Sequence, residues 1–356
     1  MIILRKQPEH FFEATGVQLA DLTLTEANRL CQGAIVSIVQ AEGNLPFVPP
    51  FEVHPYLSIM PMQQWDKYFI GTFPPISYAL DHPALVAGGV FLLTKPGVGT
   101  ISRPKLPFFH GNKLTFWKTL MLPVQYTDLL ARPRLLQRQI IIDFLTEIKV
   151  NYSDVIRYTQ RTGNYNANDS AIVNIVINDD LLDHTLRNPH PTLLIFNSSS
   201  TFGSAGLSVH VYDNNQVLAG RVNVRSVKAF DLFARAWQER GAQIFLRINR
   251  NNNWIEITSE NANLLANTFR NKVCFEMKII YPGNGESGGE KIFTIVTPPS
   301  ISSQTNRALP RNKNFRNWLI QNPGATVTEF IRAIYQAALS NDIQTLNRFN
   351  FHEISF

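Results

Sequence analysis

Aromatic and small polar residues cluster where several apolar runs of this sequence end. The run "KYFIGTFPP" (67–75) ends in a Gly-Pro turn that carries Phe73, and "FFHGNKLTFW" (108–117) places Phe109 beside a His-Gly-Asn turn. Another run, "TLLIFNSSS", ends its apolar part at Asn197. Aromatic faces offer stacking surfaces, and an Asn amide offers both a donor and an acceptor. These residue types predict the lining of a cleft.

Each of these residues also has an ordinary structural explanation. Phe116 and Trp117, inside the same aromatic string, are expected to be core residues. Phe73 and Phe109 stand beside turns, which favours pocket lining over burial in the core. Asn197 could instead cap the turn that follows it.

Alternating apolar runs and helical periodicities predict the elements that position these residues. Strands are expected at 67–75, 192–197, 272–281 and 291–300, hairpins at 207–224 and 243–258, and helices at 25–43, 134–150, 226–241 and 326–341. Helical patterns between buried strands predict a three-layer α/β/α fold with a central, mostly parallel sheet. Ligands of such sheets bind beyond the carboxyl ends of the strands.

Composition narrows the classes of function. The chain has 356 residues, is 44% apolar and carries a formal net charge of +6, which suits a polyanionic partner without identifying one. Its two cysteines, Cys31 and Cys274, make neither a disulfide framework nor a metal cluster and are expected in the core. The N-terminus lacks the apolar segment of a signal peptide, and no run is long enough to span a membrane. A reducing, cytoplasmic location is therefore expected.

Four motifs occur in an order that resembles the uracil-DNA glycosylase superfamily, most closely its hypoxanthine-DNA glycosylase-like branch. "IGTFPP" followed by "FFHGNKLTFWKTL" resembles the branch's first motif, a strand into Gly-Ser-Phe-Pro, a Tyr-Tyr pair and Asn-x-Phe-Trp. "TGNYNANDSAI" with "INDDL" is similar to Gly-Ser-x-Asp-Ser-x-Ile followed by Asn-Asp. "LLIFN" resembles the strand that ends in a base-reading Asn, and "TPPSISSQTN" resembles the Pro-Ser-x-Ser loop that presses on DNA. The resemblance covers roughly residues 65–320, interrupted by insertions.

The resemblance implies a monofunctional DNA glycosylase that uses no metal or organic cofactor and has DNA as its partner. Such an enzyme extrudes a nucleotide, at a cost of roughly a few kcal/mol, and reads the base by stacking and hydrogen bonds. The implied base-binding residues are Gly71, Phe73, Phe109 and Asn197. The implied contacts to the DNA backbone come from Pro299, Ser300, Ser302 and Arg307.

The loop that presses on DNA has two simpler explanations. Ser300 and Ser302 could belong to a plain Ser-rich turn. Arg307 begins a basic cluster with Arg311, Lys313 and Arg316, which either tracks the DNA backbone or is only a solvated face.

The family's catalytic residue has no counterpart in this chain. Several branches hold the water with an Asp or Asn at the position of Phe73, and the resembling branch uses an Asn at the position of Leu114. Two neighbours are candidates instead. Asp169 could orient a water or stabilise the cationic sugar, or could be only a helix N-cap. Asn112 could fill the role if the turn is re-formed, or could be a turn residue beside Gly111. Asp169 is preferred because the resemblance keeps an Asp there.

Relative to the resembling family, this sequence has two insertions, residues 75–107 and 198–225, which are expected at the entrance of the pocket. Loops placed there favour a base with a bulky substituent, such as a modified cytosine or uracil of phage DNA. Removal of that base would leave abasic sites in an invading genome, which is an antiviral defence.

The predicted organisation is an N-terminal helical arm (1–54), a glycosylase-like α/β domain (55–325) and a C-terminal helical extension (326–356). No membrane and no obligatory protein partner are expected. Two alternatives stay open beside the defence glycosylase. One is a catalytically inactive nucleic-acid-binding module, which Leu114 favours, and the other is host repair of uracil or hypoxanthine. A hydrolase using a Ser of "NSSSTFGSAG" ranks below both, because the G-x-S-x-G elbow and an evident His partner are missing.

Overall fold

The fold is taken from a computed structural model. It describes residues 52–54, 56–57, 60–73, 93–95, 99–101, 105–110, 114–161, 172–196, 207–212, 218–224, 229–258, 268–269, 272–282, 289–299 and 313–350.

A mixed sheet of seven strands forms the centre of the protein. In spatial order its strands are β12 (Ile255–Glu256), β11 (Gln243–Arg247), β13 (Cys274–Tyr281), β14 (Gly289–Val296), β8 (Thr192–Phe196), β2 (Lys67–Gly71) and β5 (Val150–Asp154). The four strands from β14 to β5 are parallel to one another. The pairings of β11 with β12, β11 with β13 and β13 with β14 are antiparallel. The chain is therefore an α/β protein whose parallel strands occupy one half of the sheet.

Helices pack on both faces of this sheet. They are α1 (Leu114–Leu120), α2 (Pro123–Ala131), α3 (Arg134–Glu147), α4 (Asp179–Arg187), α5 (Ala229–Glu239), α6 (Lys313–Gln321), α7 (Val327–Leu339) and α8 (Ile343–Arg348). Because successive side chains of a strand point to opposite faces of the sheet, β2 contributes residues to the cores on both faces. Tyr68 and Ile70 pack in a core with α4 and α5, whereas Phe69 packs in a second core with the other six helices.

Three smaller sheets lie outside the central one. β1 (Glu52–Val53), β6 (Ile156–Arg161) and β7 (Ile172–Ile177) form a three-stranded antiparallel sheet. The hairpin of β3 (Leu93–Lys95) and β4 (Gly99–Ile101) lies in the first insertion. The hairpin of β9 (Leu207–Tyr212) and β10 (Leu218–Val224) lies in the second.

Most expected elements that fall on described residues are confirmed. The expected strands and both hairpins form, and so do helices α5 and α7. The capping box expected at the start of α7 is present, because Thr326 N–H donates to Glu329 Oε2 at 2.6 Å and Glu329 N–H donates to Thr326 Oγ1 at 3.3 Å. The helix expected over 134–150 ends earlier, at Glu147, since Val150 begins β5. The helix expected at 25–43 lies outside the described residues.

Candidate active site at the carboxyl ends of the parallel strands

The parallel half of the sheet has one point where its strand order reverses. From β2 the chain moves outward to the edge strand β5, and it then returns to the other side of β2 to form β8. Such a switch point leaves a crevice beyond the carboxyl ends of the two central strands, where ligands of open α/β sheets bind. Gly71 and Phe196 end these two strands. The crevice therefore lies where the sequence motifs "IGTFPP" and "LLIFN" end.

Three of the predicted base-binding residues lie together at this crevice. Gly71 ends β2 and Phe73 follows two residues later. Phe73 and Phe109 were expected to line a pocket, but both are buried in the hydrophobic core, at 7% and 3% exposure, because they pack against other aromatic rings. The side chain of His54 joins them, with ring centroids 5.4 Å from Phe73 and 5.1 Å from Phe109. The imidazole thus contacts both phenyl rings that were expected to hold a base.

The imidazole of His54 is hydrogen-bonded to a buried carboxylate. Its Nε2 lies 2.9 Å from Asp154 Oδ2, and the two side chains are only 1% and 5% exposed. Its Nδ1 accepts a hydrogen bond from the backbone N–H of Tyr56 at 3.1 Å. Because a backbone N–H can only donate, Nδ1 carries no proton, and the proton of the neutral ring is on Nε2. The Nε2–H of His54 therefore donates to Asp154 Oδ2.

Gly71 provides the space in which this carboxylate lies. A Cβ built on Gly71 would come within 2.1 Å of Asp154 Oδ1, which is closer than real Cβ contacts. Only glycine leaves room for the carboxylate at this position. Oδ1 accepts no hydrogen bond from any residue that the structure describes, whereas Oδ2 is bonded to His54. One carboxylate oxygen is thus left to interact with a ligand.

Polar residues fix the end of β5 in its place. Asn178 donates through Nδ2 to Ser153 Oγ and to the backbone oxygen of Asp154, each at 3.0 Å. Val155 N–H donates to the backbone oxygen of Gly71 at 3.0 Å. These bonds hold Asp154 against Gly71 independently of its own side chain.

The aromatic string that contains Phe109 forms a rigid wall of the crevice. Phe109 stacks on Tyr152 at a centroid distance of 4.1 Å, and Trp117 Nε1–H donates to the backbone oxygen of Phe109 at 2.9 Å. Phe116 and Trp117 are core residues, as expected, at 2% and 0% exposure. The wall keeps water away from the His54–Asp154 pair, which strengthens its electrostatic interactions.

Of the other predicted site residues, only Pro299 is described. Pro299 is buried. It follows the end of β14 by three residues, so it lies at the same edge of the sheet as the crevice. The predicted residues Asn112, Asp169, Asn197, Ser300, Ser302 and Arg307 lie outside the described part of the chain.

No protein-family model, curated protein or solved structure matches this chain.

The sequence interpretation missed both His54 and Asp154. They are 100 residues apart in the chain, and no spacing rule connects them. His54 is the last residue of the predicted N-terminal helical arm and was therefore not considered as a site residue. Asp154 does follow the rule that polar residues at strand ends line a site, but its own strand was not predicted.

Metal and thiol chemistry find no support in the described residues. They contain no group of three or more His, Cys, Asp or Glu side chains that could hold a metal ion. Cys274 is buried, and this burial raises the pKa of its thiol to about 12. It is a core residue, as expected. No helix in the described ranges is both long and apolar enough to cross a membrane.

Proposed function

We propose that the protein is a monofunctional DNA glycosylase that flips out a modified or damaged base and hydrolyses its N-glycosidic bond. The single observation that carries this proposal is the buried carboxylate of Asp154 at the switch-point crevice. It lies against Gly71, and one of its oxygens is unbonded among the described residues. A cationic sugar is the kind of transition state that a carboxylate stabilises.

Asp154 replaces the water-holding residue that the family motif lacks here. Water attacks C1′ of the flipped nucleotide while the C1′–N bond breaks, and the bonding electron pair leaves with the base. Asp154 Oδ1 accepts the proton that the water loses, and this proton then passes to the departing base or to solvent. His54 is a positioning residue, because its Nε2–H holds Oδ2 and so directs Oδ1 away from itself.

The proposed partner is DNA, and its charge complements the chain. The formal net charge of +6 favours a polyanion, and the sequence places Arg307 and its basic neighbours just beyond the strand end at Pro299. Asp154 itself adds a negative charge, so we expect it to act on the sugar and not on a phosphate.

The proposed substrate is a pyrimidine with a bulky substituent, as found in some phage DNA. Both long insertions carry hairpins, β3–β4 and β9–β10, and in the sequence they follow the crevice ends of β2 and β8. Such an enzyme would act in the cytoplasm in antiviral defence. Host repair of uracil or hypoxanthine uses the same chemistry without needing the insertions.

The test is mass spectrometry of the bases released from a DNA panel. The panel holds uracil, hypoxanthine, alkylated bases, and hydroxymethylcytosine with and without glucose, with alkali cleavage as a second readout of abasic sites. Release of a bulky base in preference to its plain counterpart supports the proposal, and release of uracil or hypoxanthine alone favours repair. Asp169→Ala and Asn112→Ala, run in parallel, test the two catalytic residues that the sequence suggested.

A second function, an inactive nucleic-acid-binding module, is favoured by one specific observation. The His54 ring contacts both Phe73 and Phe109, so it occupies the contacts that were expected for a base. In addition, Leu114 at the start of helix α1 stands where the resembling branch has its catalytic Asn. This function predicts DNA binding without released base and without alkali-labile sites for every member of the panel.

A further inference from the structure

A cavity lies beside edge strand β5, on the far side of Tyr152 and Asn178 from Asp154's hydrogen bond to His54. Its volume is about 600 Å³, which lies within the range of small-molecule sites. One side is lined by Leu57, Met60, Pro61, Met62 and Gln64, and another by residues of helix α4. The floor is Tyr152 and Ser153 of β5, together with Asn178. We call this cavity the edge cleft.

The inner end of the edge cleft has a fixed hydrogen-bond acceptor. Asn178 is 3% exposed, and its Nδ2 is identified because it donates to Asp154 O, which can only accept. Its other donation goes to Ser153 Oγ. Asn178 precedes helix α4, yet its side chain caps no helical N–H. Its Oδ1 therefore has no partner among the residues described, although it is held by two bonds on the other side of the amide.

The middle of the edge cleft has a fixed hydrogen-bond donor. Asn188 Nδ2–H donates to Tyr68 Oη at 2.9 Å, so the Tyr68 hydroxyl proton is directed to its other neighbour, His184 Nδ1, also at 2.9 Å. Burial raises the pKa of Tyr68 to about 12 and lowers the pKa of His184, so the phenol stays protonated and the imidazole stays neutral. The proton of His184 is consequently on Nε2, which makes no bond within the described part of the chain.

The outer end of the edge cleft has a cation with a weak partner. Arg187 is 79% exposed in its side chain, and its carboxylate contact, to Asp183, is 4.0 Å long. The acidic residues of the cleft are better paired elsewhere. Arg240 donates to both Asp179 and Asp183, and Arg157 donates to Asp180 at 2.9 Å. Arg187 is thus available for an anionic group.

These three groups line one cavity. Asn178 immediately precedes α4, and His184 and Arg187, three residues apart on α4, share one side of the helix. Together they offer an acceptor at the buried end, a neutral donor in the middle and a cation at the open end. Met60 and Met62 also line the cleft, and their flexible thioether side chains suit a flat ring.

We propose that the edge cleft binds a nucleoside 5′-phosphate. An N–H of the base donates to Asn178 Oδ1, the ring lies against Met60 and Met62, and phosphate oxygens accept from Arg187 and from His184 Nε2–H. The ligand is either a free nucleotide or one nucleotide of a DNA strand, since both have this chemistry. The proposed contacts do not use the side chain of Asp154 and do not require that the protein be a glycosylase.

The test is titration of the full-length protein with the four deoxynucleoside monophosphates, followed by NMR of the labelled imidazole of His184. We expect saturable binding that shifts the His184 Nε2–H signal. Arg187→Gln should weaken the binding of dCMP about tenfold, and deoxycytidine, which lacks the phosphate, should bind about equally to both forms. Arg132→Gln is the matched control, because Arg132 is an exposed arginine with an aspartate four residues earlier and lies outside the cleft. It should leave the binding of dCMP unchanged.

Two results would overturn the proposal. One is the absence of saturable binding for all four nucleotides up to about 10 mM, which corresponds to a negligible affinity. The other is an equal effect of Arg187→Gln and Arg132→Gln. A single-stranded pentanucleotide distinguishes a DNA strand from a free nucleotide as the ligand. If the pentanucleotide binds more tightly than dCMP, the ligand is a strand, and if it binds equally or more weakly, the ligand is a free nucleotide. His184→Phe, which keeps the ring and removes the donor, should abolish the imidazole signal and weaken the binding of dCMP.

Discussion

Replacement of Gly71 by alanine tests the packing of the crevice most sharply. The new Cβ would lie 2.1 Å from Asp154 Oδ1 and 3.1 Å from its Cγ, and real Cβ contacts are not shorter than 3.0 Å. The carboxylate must therefore retreat by about 1 Å, which is an overpacking strain. Because the carboxylate is rigid, Oδ2 moves as well, and its 2.9 Å hydrogen bond to His54 is strained or lost.

Two terms set the size of the expected effect. Overpacking of a well-packed site costs about 1–3 kcal/mol. A hydrogen bond to a charged group contributes about 1.5–3 kcal/mol. We expect Gly71→Ala to lower the free energy of unfolding by about 3–5 kcal/mol, which is a large part of the stability of a typical domain.

The assay is urea unfolding followed by tryptophan fluorescence, arranged as a double-mutant cycle with Asp154→Ala. Removal of the carboxylate removes the atom with which the new Cβ collides. In the Asp154→Ala background, Gly71→Ala should therefore cost less than about 1 kcal/mol, which gives a coupling energy of at least about 2 kcal/mol. An equal cost of Gly71→Ala in both backgrounds would refute the packing described for Asp154.

Three further predictions concern stability and reactivity. Thr326→Ala should lower the free energy of unfolding by about 1 kcal/mol at pH 7 through loss of the helix cap. Hydrogen bonds from the backbone N–H and from the hydroxyl of Thr326 lower the pKa of Glu329. Alanine removes the hydroxyl bond, so this part of the cost is complete above the ordinary pKa of a glutamate and is lost as pH falls, and urea melts at pH 7 and pH 3 measure the change. In a Cys31→Ser variant, burial and the raised pKa of Cys274 should prevent reaction with a thiol reagent at pH 8 until urea unfolds the chain. Asn350→Ala should cost about 2–4 kcal/mol in calorimetry, because its amide bonds Val273 N–H and both backbone groups of Cys274 in a buried site.

Different results would contradict each of these three predictions. They are a cost of Thr326→Ala that is as large at pH 3 as at pH 7, rapid labelling of Cys274 in the folded protein, and a cost of Asn350→Ala no larger than that of Asn253→Ala. Asn253 is the control because it is an exposed Asn.

The parallel strands β2 and β8 could be predicted because burial on both faces leaves a continuous apolar run in the sequence. The hairpin β9–β10 and helix α7 could also be predicted from the sequence, since turn residues and a capping box are local signals. Their position next to a turn is also why Gly71, Phe73 and Phe109 were expected to line a site, whereas the burial of Phe73 and Phe109 depends on tertiary packing.

Strand β5 could not be predicted, because its sequence, "VNYSD", is polar. All five of its residues are nevertheless buried. Tertiary hydrogen bonds make this possible, since Asn151 bonds the backbone of Gln63, Ser153 bonds Asn178, and Asp154 bonds His54. A buried polar group is tolerated when it is hydrogen-bonded, and these partners are far away in the sequence. The carboxylate at the centre of the proposed site was hidden for this reason.

The contact of His54 with Phe73 and Phe109 was also inaccessible from the sequence. The segment 52–54 reaches the crevice only because β1 pairs with β6 and because His54 N–H donates to Arg157 O at 3.0 Å. An isolated His in a Pro-rich stretch carries no signal of such a pairing. The sequence therefore predicted the aromatic wall and not the residue that packs against it.

The rate of base release by Asp154→Asn is the most direct test of the proposed function. Asparagine keeps the shape of the side chain and can still accept from His54, but it removes the charge and the proton acceptor. Under single-turnover conditions, on whichever DNA of the panel the wild-type protein cleaves, we predict a rate lower by about 10²–10⁴ with DNA binding retained. Asp128→Asn, on the exposed surface of α2, is the matched control and should act at the wild-type rate. An Asp154→Asn variant that releases the base as fast as the wild type would contradict the central role of this carboxylate.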